Sequence, residues 1–195
     1  MSRKAYGQIK ETTLDRFIKR LRHQKVFKHI PQGSYVVDIG CGYHGEFLTL
    51  ISQRIKKGIG FDLKVSKKPK RQNIMLRRAK VDISIPAKNN SADVVTALAI
   101  IEHLDHPERF LKEIHRILKP NGMLLLTTPS KSSKALLEFL AFRLKVISQA
   151  EILDHKRYFN EQSLIDKLIK TGFEPQNIVT STFEFGMNLF SKARK

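Results

Sequence analysis

One stretch, Tyr35 to Phe47 with the sequence YVVDIGCGYHGEF, constrains the fold more than any other part of the chain. It begins with an apolar, mostly β-branched run, typical of a central strand in a parallel sheet buried on both faces. Gly40, Gly42 and Gly45 follow with the spacing G-x-G-x-x-G, and an apolar helical pattern starts behind them. Strand, glycine turn and helix in this order form the nucleotide-binding corner of a doubly wound α/β fold, where backbone can approach a ligand closely.

Asp38, two residues before the first glycine, limits which ligand can occupy this turn. A dinucleotide places its pyrophosphate there, and a carboxylate so close would repel that charge. S-adenosylmethionine has no phosphate but carries an ammonium and a sulfonium group, and a nearby carboxylate favours both. The glycine pattern alone is weakly specific, so the acid makes an S-adenosylmethionine site the better interpretation.

Two further acids follow predicted strands in the next part of the chain. Asp62 ends the strand GIGFDL, about 20 residues beyond the glycine turn, where an acid can accept both hydroxyls of a ribose. Either kind of nucleotide ligand uses this position, so Asp62 does not discriminate between them. Asp82 follows a third strand that starts at Ile74, and an aspartate in such a turn is by itself usually a local cap.

The longest apolar run, DVVTALAII, predicts strand four from Asp93 to Ile101, and a second run predicts strand five from Met123 to Thr128. Between them lie Glu102-His103-Leu104 and a helix with one apolar face. Together with the glycine turn, this stretch resembles the class I S-adenosylmethionine-dependent methyltransferases, in particular the small-molecule and lipid branch often called type 11. The resemblance extends from about Gly33 to the end of the chain.

The resemblance implies a single methyltransferase domain over residues 1–195, of the doubly wound, Rossmann-like α/β class. Its sheet has seven strands, mostly parallel, with the last strand antiparallel. An N-terminal helical extension occupies residues 1–32, and a helical lid inserted after strand five occupies residues 130–158. A T-x-x-D capping box at Thr12 and Asp15 independently predicts a helix in the extension.

The resemblance also implies S-adenosyl-L-methionine as the cofactor and S-adenosyl-L-homocysteine as its product. In the resembled family, the acid after strand three meets the adenine amino group and the apolar residue behind it covers the ring. Cys41, the only cysteine, is interpreted as a small residue that fills the turn, and the sequence predicts neither a disulfide framework nor a metal site. The predicted cofactor-binding residues are Asp38, Gly40, Cys41, Gly42, Asp62, Leu63, Asp82, Ile83, Ala97 and Leu98.

The sulfonium is already a strong methyl donor, so the protein mainly has to align donor and acceptor, which can contribute on the order of 7–11 kcal/mol. A general base is needed only if the acceptor is a hydroxyl or an acidic carbon. By the resemblance, which places a histidine just before the helix that follows the lid, His155 is the first catalytic candidate and His103 the second. A histidine near a site is more often an orienting hydrogen-bond donor than a base.

Residues Lys134 to Gln149 are predicted to form one helix with a broad apolar face. Such a helix could be buried on all sides in the core. It could equally be an apolar lid over a greasy substrate, or face a membrane.

The net charge of +18 implies an anionic partner, which could be nucleic acid, phospholipid head groups or an acidic substrate. Basic residues crowd the polar side of the N-terminal helix and the loop from Lys64 to Arg71. An excess of basic residues can also serve only solubility. The N-terminus lacks a signal peptide and no apolar run approaches the roughly 20 residues of a spanning helix, so we expect a cytoplasmic protein, peripheral at the membrane if it binds one.

The sequence favours methyl transfer from S-adenosylmethionine to a small-molecule or lipid-linked acceptor. An RNA methyltransferase would explain the charge, but Ala97-Leu98-Ala99-Ile100 stands where nucleobase-amine methyltransferases carry a D/N-P-P-Y/F tetrad, which makes nucleic acid a weaker candidate. A non-catalytic S-adenosylmethionine-binding protein is the third alternative. The identity of the acceptor and the oligomeric state stay open at this point.

Overall fold

The computed structural model describes residues 12–195, which form a seven-stranded sheet with the strand order β3-β2-β1-β4-β5-β7-β6. Strands β1 to β5 pair in parallel, and β7 runs antiparallel to both of its neighbours, β5 and β6. The predicted sheet is therefore confirmed. The strands are β1 Tyr35–Ile39, β2 Lys57–Asp62, β3 Ile74–Arg78, β4 Ala92–Leu98, β5 Leu118–Pro129, β6 Ile178–Phe183 and β7 Asn188–Arg194.

Helices cover both faces of this sheet. The predicted capping box stabilises the N-terminus of the first helix. Asp15 N–H donates to Thr12 Oγ1 at 3.1 Å, and Thr12 N–H donates to Asp15 Oδ2 at 3.0 Å. Residues 1–11 of the predicted extension lie outside the described residues. The helices are α1 Thr13–Phe27, α2 Glu46–Ile51, α3 Pro107–Ile117, α4 Lys134–Glu138, α5 Gln149–Leu153 and α6 Glu161–Lys170.

Two apolar cores lie on opposite faces of the sheet, as the alternation along β1 requires. Val36 packs with α1 and α2 on one face, and Val37 and Ile39 pack with α3 and α6 on the other. Among residues 12–195, no helix combines the length and the apolar character needed to cross a membrane.

The predicted single helix from Lys134 to Gln149 is wrong. Helix α4 ends at Glu138, a π-helical turn follows over Phe139–Arg143, and Lys145 has a φ of +54°, which no right-handed helix contains. Ala141 and Ile147, on either side of Lys145 along this bend, are both buried. In a straight helix they would point about 120° apart, and the bend allows both to be buried.

Strand four is also shorter than predicted, because it ends at Leu98 rather than Ile101. Ala99 has a φ of +51°, which ends the strand, and residues Ile101–His103 form a 3₁₀ turn instead. This turn brings Glu102 and His103 next to the last part of the lid, where they contact Lys156 and Asp154.

Candidate functional site

The glycine turn is fastened to the carboxyl end of the neighbouring strand β2. Gly40 N–H donates to the carbonyl of Phe61 at 2.8 Å, and Gly42 N–H donates to Asp62 Oδ2 at 2.9 Å. The other oxygen of the same carboxylate accepts from Leu63 N–H at 2.6 Å. Asp62 therefore shapes the turn through backbone hydrogen bonds, and it lies at the strand end where a ribose would meet it.

Asp38 lies on the neighbouring strand as a buried acid with one side-chain partner. Its side chain is 2% exposed, and Oδ1 accepts a hydrogen bond from Thr96 Oγ1 at 2.6 Å. Burial, with a contribution from the charge of Asp62 and despite the Thr96 hydrogen bond, raises the pKa of Asp38 from 3.8 to about 7. A carboxyl group with this pKa gains charge readily when a cation approaches, which suits an ammonium or sulfonium ligand.

Gly40 is confined from the opposite side by the end of strand β4. Its φ is +75°, and a Cβ added there would lie 2.7 Å from Cδ1 and 3.2 Å from Cβ of Ile100. The turn can therefore hold no side chain at this position without moving Ile100.

Cys41 behaves as the packing residue that the sequence predicts. It is buried, and its Sγ would lie 2.7 Å from a Cβ added to Gly60 on strand β2. Burial, with the charges of Asp38 and Asp62, raises the pKa of its thiol far above the usual range. The thiol is thus unsuited to act as a nucleophile.

The predicted adenine-binding residues lie in the loop after strand β3. The carboxylate of Asp82 accepts from the backbone N–H of Asp105 at 3.3 Å and of His106 at 3.0 Å, just before helix α3. Ile83 beside it is 51% exposed, as a side chain that covers a bound ring can be. The acid therefore fixes the loop before α3 across the chain rather than its own turn, and its contact with adenine stays a prediction.

Strand β4 supplies the last two predicted cofactor residues. The side chain of Ala97 is fully buried in the core on the face of α3, and Leu98 is partly buried against the core on the other face. Their role beside a cofactor stays a prediction. The structure brings Asp38, Gly40 and Gly42 together with Asp62 at one edge of the sheet.

The two predicted catalytic histidines, His103 and His155, lie next to each other in a second part of the site, at the lid. Their ring centroids are 4.9 Å apart, and the Nδ1 atom of His155 lies 3.1 Å from the hydroxyl of Tyr158. Burial is the main reason why the pKa of His155 falls to about 4, so its imidazole is neutral near pH 7. His103 is 9% exposed, and its Nδ1 lies 3.0 Å from the carbonyl oxygen of Asp154.

Glu102 and Thr128 complete this cluster, and sequence reasoning did not select either. The side chain of Glu102 is fully buried, and its Oε2 accepts from Thr128 Oγ1 at 3.0 Å. A glutamate directly after the longest apolar run of the chain is the signal that could have found it. Tyr158 carried a weaker signal, because an aromatic residue near a lid is usually core.

A cavity of about 440 Å³ is lined by residues of the lid, from just before its first helix α4 to the segment after α5. His155 and Tyr158 line it, whereas His103 does not. Its wall combines apolar side chains with basic ones and one glutamate. The lining residues are Lys131, Lys134, Glu138, Phe142, Ile152, Leu153, His155, Lys156, Arg157 and Tyr158.

A family model described as a methyltransferase domain matches residues 9–178 of the chain. A protein of Mycolicibacterium smegmatis named as an S-adenosylmethionine-dependent methyltransferase is 28% identical over 165 residues, which cover 80% of this chain and 59% of that protein. The mitochondrial ubiquinone biosynthesis O-methyltransferase of Dictyostelium discoideum is 25% identical over 134 residues, covering 58% of this chain and 42% of that protein. The chain thus spans about half the length of these two relatives.

The fold has a counterpart among solved structures. The crystal structure of a methyltransferase from Archaeoglobus fulgidus, described as dependent on S-adenosylmethionine, matches with a TM-score of 0.71 and 17% sequence identity. The match covers 92% of this chain and 94% of the other. At this identity, the likeness concerns the fold.

Proposed function

This chain belongs to the S-adenosylmethionine-dependent methyltransferases, and from that premise we propose that it methylates a small-molecule or lipid-linked acceptor bound under the lid. S-adenosylmethionine is the cofactor of the family, and when bound it supplies an electrophilic methyl group. One observation of this structure fits such a cationic ligand: Asp38 is buried, and its pKa is raised to about 7.

The chain's own residues then have three tasks. Asp38 attracts the positive end of the cofactor, and Asp62 accepts from its ribose while it keeps the glycine turn in place. His155 and Tyr158 orient the acceptor, because they line the cavity and are linked by a hydrogen bond. Alignment of the two reactants is the main contribution that such a site makes to the rate.

The exposed apolar surface of the lid carries the proposal of an acceptor with an apolar part. Along residues 136–153, six large apolar side chains that are usually buried in a protein core are between about two fifths and three quarters exposed. These residues are Leu136, Phe139, Phe142, Leu144, Val146 and Leu153. A contiguous exposed apolar segment beside a cavity is typical of a surface that meets a ligand or a bilayer.

Basic side chains supply a second attraction to an anionic membrane. Arg16 and Arg20 on α1 and Lys28 directly after it are exposed, and so are all the lysines and the arginine of the 64–71 loop. Each such residue near an anionic bilayer contributes about 1 kcal/mol, screened over roughly 10 Å. The name of the Dictyostelium relative, which acts in ubiquinone biosynthesis, is a weak hint in the same direction.

Liposome sedimentation tests the membrane part of the proposal. We expect binding to anionic but not zwitterionic vesicles, weaker binding at high salt, and a further loss in the double variant Phe139→Ser/Phe142→Ser. A matched control is Phe17→Ser, which removes a phenylalanine that is 56% exposed on α1 rather than on the lid. Equal recovery of all proteins in the supernatant would remove the membrane and leave a dissolved acceptor.

Methyl transfer itself is tested by incubating the protein with methyl-labelled S-adenosylmethionine and a lipid extract, an extract of water-soluble small molecules, or total RNA. Label in the lipid or the small-molecule fraction supports the proposal. Label in RNA would replace it with the RNA alternative that the net charge of +18 favours, and retention of RNA would then fall steeply with salt. Binding of cofactor without transfer to any fraction would identify a non-catalytic binding protein.

A further inference from the structure

Glu102, His103 and His155 place three potential metal ligands around one point. One ligand atom from each residue lies within 4.8 Å of the other two. Glu102 Oε2 is occupied by Thr128, but Oε1 is buried and has no hydrogen-bond partner among residues 12–195. A buried carboxylate oxygen without a partner is costly, and proteins tolerate it where a cation satisfies it.

We propose that these three side chains bind one divalent transition-metal cation at the inner end of the acceptor cavity. The sequence predicts no metal site, because His155 is far along the chain from Glu102 and His103 and no cysteine is among the ligands. The proposal concerns the site of the proposed function and rests on it only for the identity of the acceptor. Metal binding can be measured separately from methyl transfer.

The tautomer of His103 supports this assignment. Its Nδ1 lies 3.0 Å from the backbone oxygen of Asp154 and 3.0 Å from a carboxylate oxygen of the same residue. A carbonyl oxygen can only accept, so Nδ1 carries the proton and donates. The lone pair of Nε2 is then available to a metal.

Each of the three proposed ligands, Glu102, His103 and His155, is oriented by a residue that is not itself a ligand, as metal ligands in proteins usually are. Thr128 donates to Glu102, Asp154 accepts from His103, and Tyr158 contacts Nδ1 of His155 at 3.1 Å. These partners come from strand β5 and from the segment after α5. The cluster therefore joins the sheet to the lid.

The ligand set indicates which cation binds. Two imidazole nitrogens with one carboxylate suit Zn²⁺, Co²⁺, Mn²⁺ or Fe²⁺ better than Mg²⁺ or Ca²⁺, which prefer oxygen ligands alone. Three protein ligands leave at least one coordination position open. Because His155 lines the cavity, an acceptor that carries a hydroxyl or carboxylate oxygen can occupy that position.

Titration of the purified full-length chain with Co²⁺ after treatment with a chelator tests the inference directly. We expect uptake of one equivalent with a visible ligand-field absorption, which one equivalent of Zn²⁺ abolishes. Glu102→Gln and His155→Gln should each weaken binding by more than the roughly 10–100-fold typical of an outer partner, and Tyr158→Phe should fall within that range. His106→Gln, which changes an exposed histidine outside the cluster, should bind as the wild type does.

Circular dichroism establishes that each variant is folded. If Glu102→Gln fails to fold, His155→Gln carries the comparison, because His155 is not fully buried. Wild-type protein that takes up no stoichiometric Co²⁺ or Zn²⁺ overturns the inference, and so do Glu102→Gln and His155→Gln proteins that bind as the wild type does. Binding of S-adenosylhomocysteine by the same wild-type sample would show that the proposed function survives this failure.

Discussion

The two halves of the site are built in different ways. Around the glycine turn, backbone amides, the buried Asp38 and the partly buried Asp62 are fixed by hydrogen bonds between adjacent strands. Around the cavity and the neighbouring cluster of Glu102, His103 and His155, side chains project from a 3₁₀ turn, from the π-helical turn after α4 and from the segment after α5. Leu153 in that half is 73% exposed, whereas Asp38 in the first half is 2% exposed.

The two halves therefore differ in what fixes their geometry. The cofactor half lies where the strand order changes direction, between β1 and β4, which is the usual ligand site of a doubly wound sheet. Its geometry follows from the sheet itself. The proposed acceptor half depends on the lid. Several apolar side chains of the lid are exposed rather than packed against the core, so the shape of the lid can change without disturbing the sheet.

Gly40→Val should have the largest effect, and it should act on the cofactor half alone. The new side chain would collide with Ile100 and would occupy a left-handed conformation. We expect the wild type to bind S-adenosylhomocysteine with a micromolar Kd, about −8 kcal/mol, and the variant to lose at least about 100-fold, or ~2.7 kcal/mol. Isothermal titration calorimetry measures both.

Gly33→Val is the matched control for this prediction. Gly33 has nearly the same φ, +72° against +75°, but within residues 12–195 no heavy atom beyond Gly33 and its two chain neighbours lies within 4 Å of an added Cβ. Both variants carry the strain of the left-handed backbone, and only one carries the collision. Equal loss of binding in the two variants would mean that backbone strain, rather than closure of the turn, explains the effect.

Cofactor binding should weaken as the pH falls below about 7, the pKa of Asp38 in the folded protein. Only the ionised carboxylate attracts the ammonium group, so below this pH binding must first remove a proton from Asp38. The affinity for S-adenosylhomocysteine should then fall by up to about tenfold for each pH unit. Calorimetric titrations at a series of pH values measure this slope.

Asp38→Asn sharpens the pH prediction, since it removes the titrating group and keeps the shape. The variant should bind weakly at pH 8 and show little change between pH 8 and pH 6. A slope in Asp38→Asn equal to that of the wild type would assign the titration to another group and would refute the role given to this acid.

The same division explains how far the sequence could predict the structure. The run Tyr35 to Ile39, the glycine turn and the acid at the end of β2 are local patterns, and each predicted its element and its place at the sheet edge. Local patterns suffice there because parallel strands bring their carboxyl ends to one edge. The sheet order beyond them came from the resemblance to a known family.

The acceptor half was predicted less well because it depends on contacts between distant residues. His103 meets Asp154 across 51 positions, and no local pattern contains that pairing. The apolar periodicity of residues 134–149 fits one helix, yet the chain turns between Ala141 and Ile147, which are both buried. The resemblance selected His155, but the sequence gave no reason to place Glu102 next to it.

Ser130→Ala should have the smallest effect on cofactor binding, and it tests whether the lid can be loosened without loss of the cofactor site. Ser130 Oγ donates to the carbonyl of Gly186 at 2.6 Å and accepts from Ser133 N–H at 3.2 Å, so it fixes the start of the lid to the loop before β7. Removing this buried hydroxyl should lower the free energy of unfolding by about 1–3 kcal/mol in urea titrations. Ser132→Ala removes an exposed hydroxyl that lies 2.9 Å from Ser130 Oγ, and it should lower the free energy of unfolding by only about 0.5 kcal/mol. S-adenosylhomocysteine should bind both variants as it binds the wild type, because no hydrogen bond of the glycine turn involves either serine. A loss of cofactor affinity in Ser130→Ala as large as that in Asp38→Asn would show that the two halves are coupled and that the lid helps to hold the cofactor.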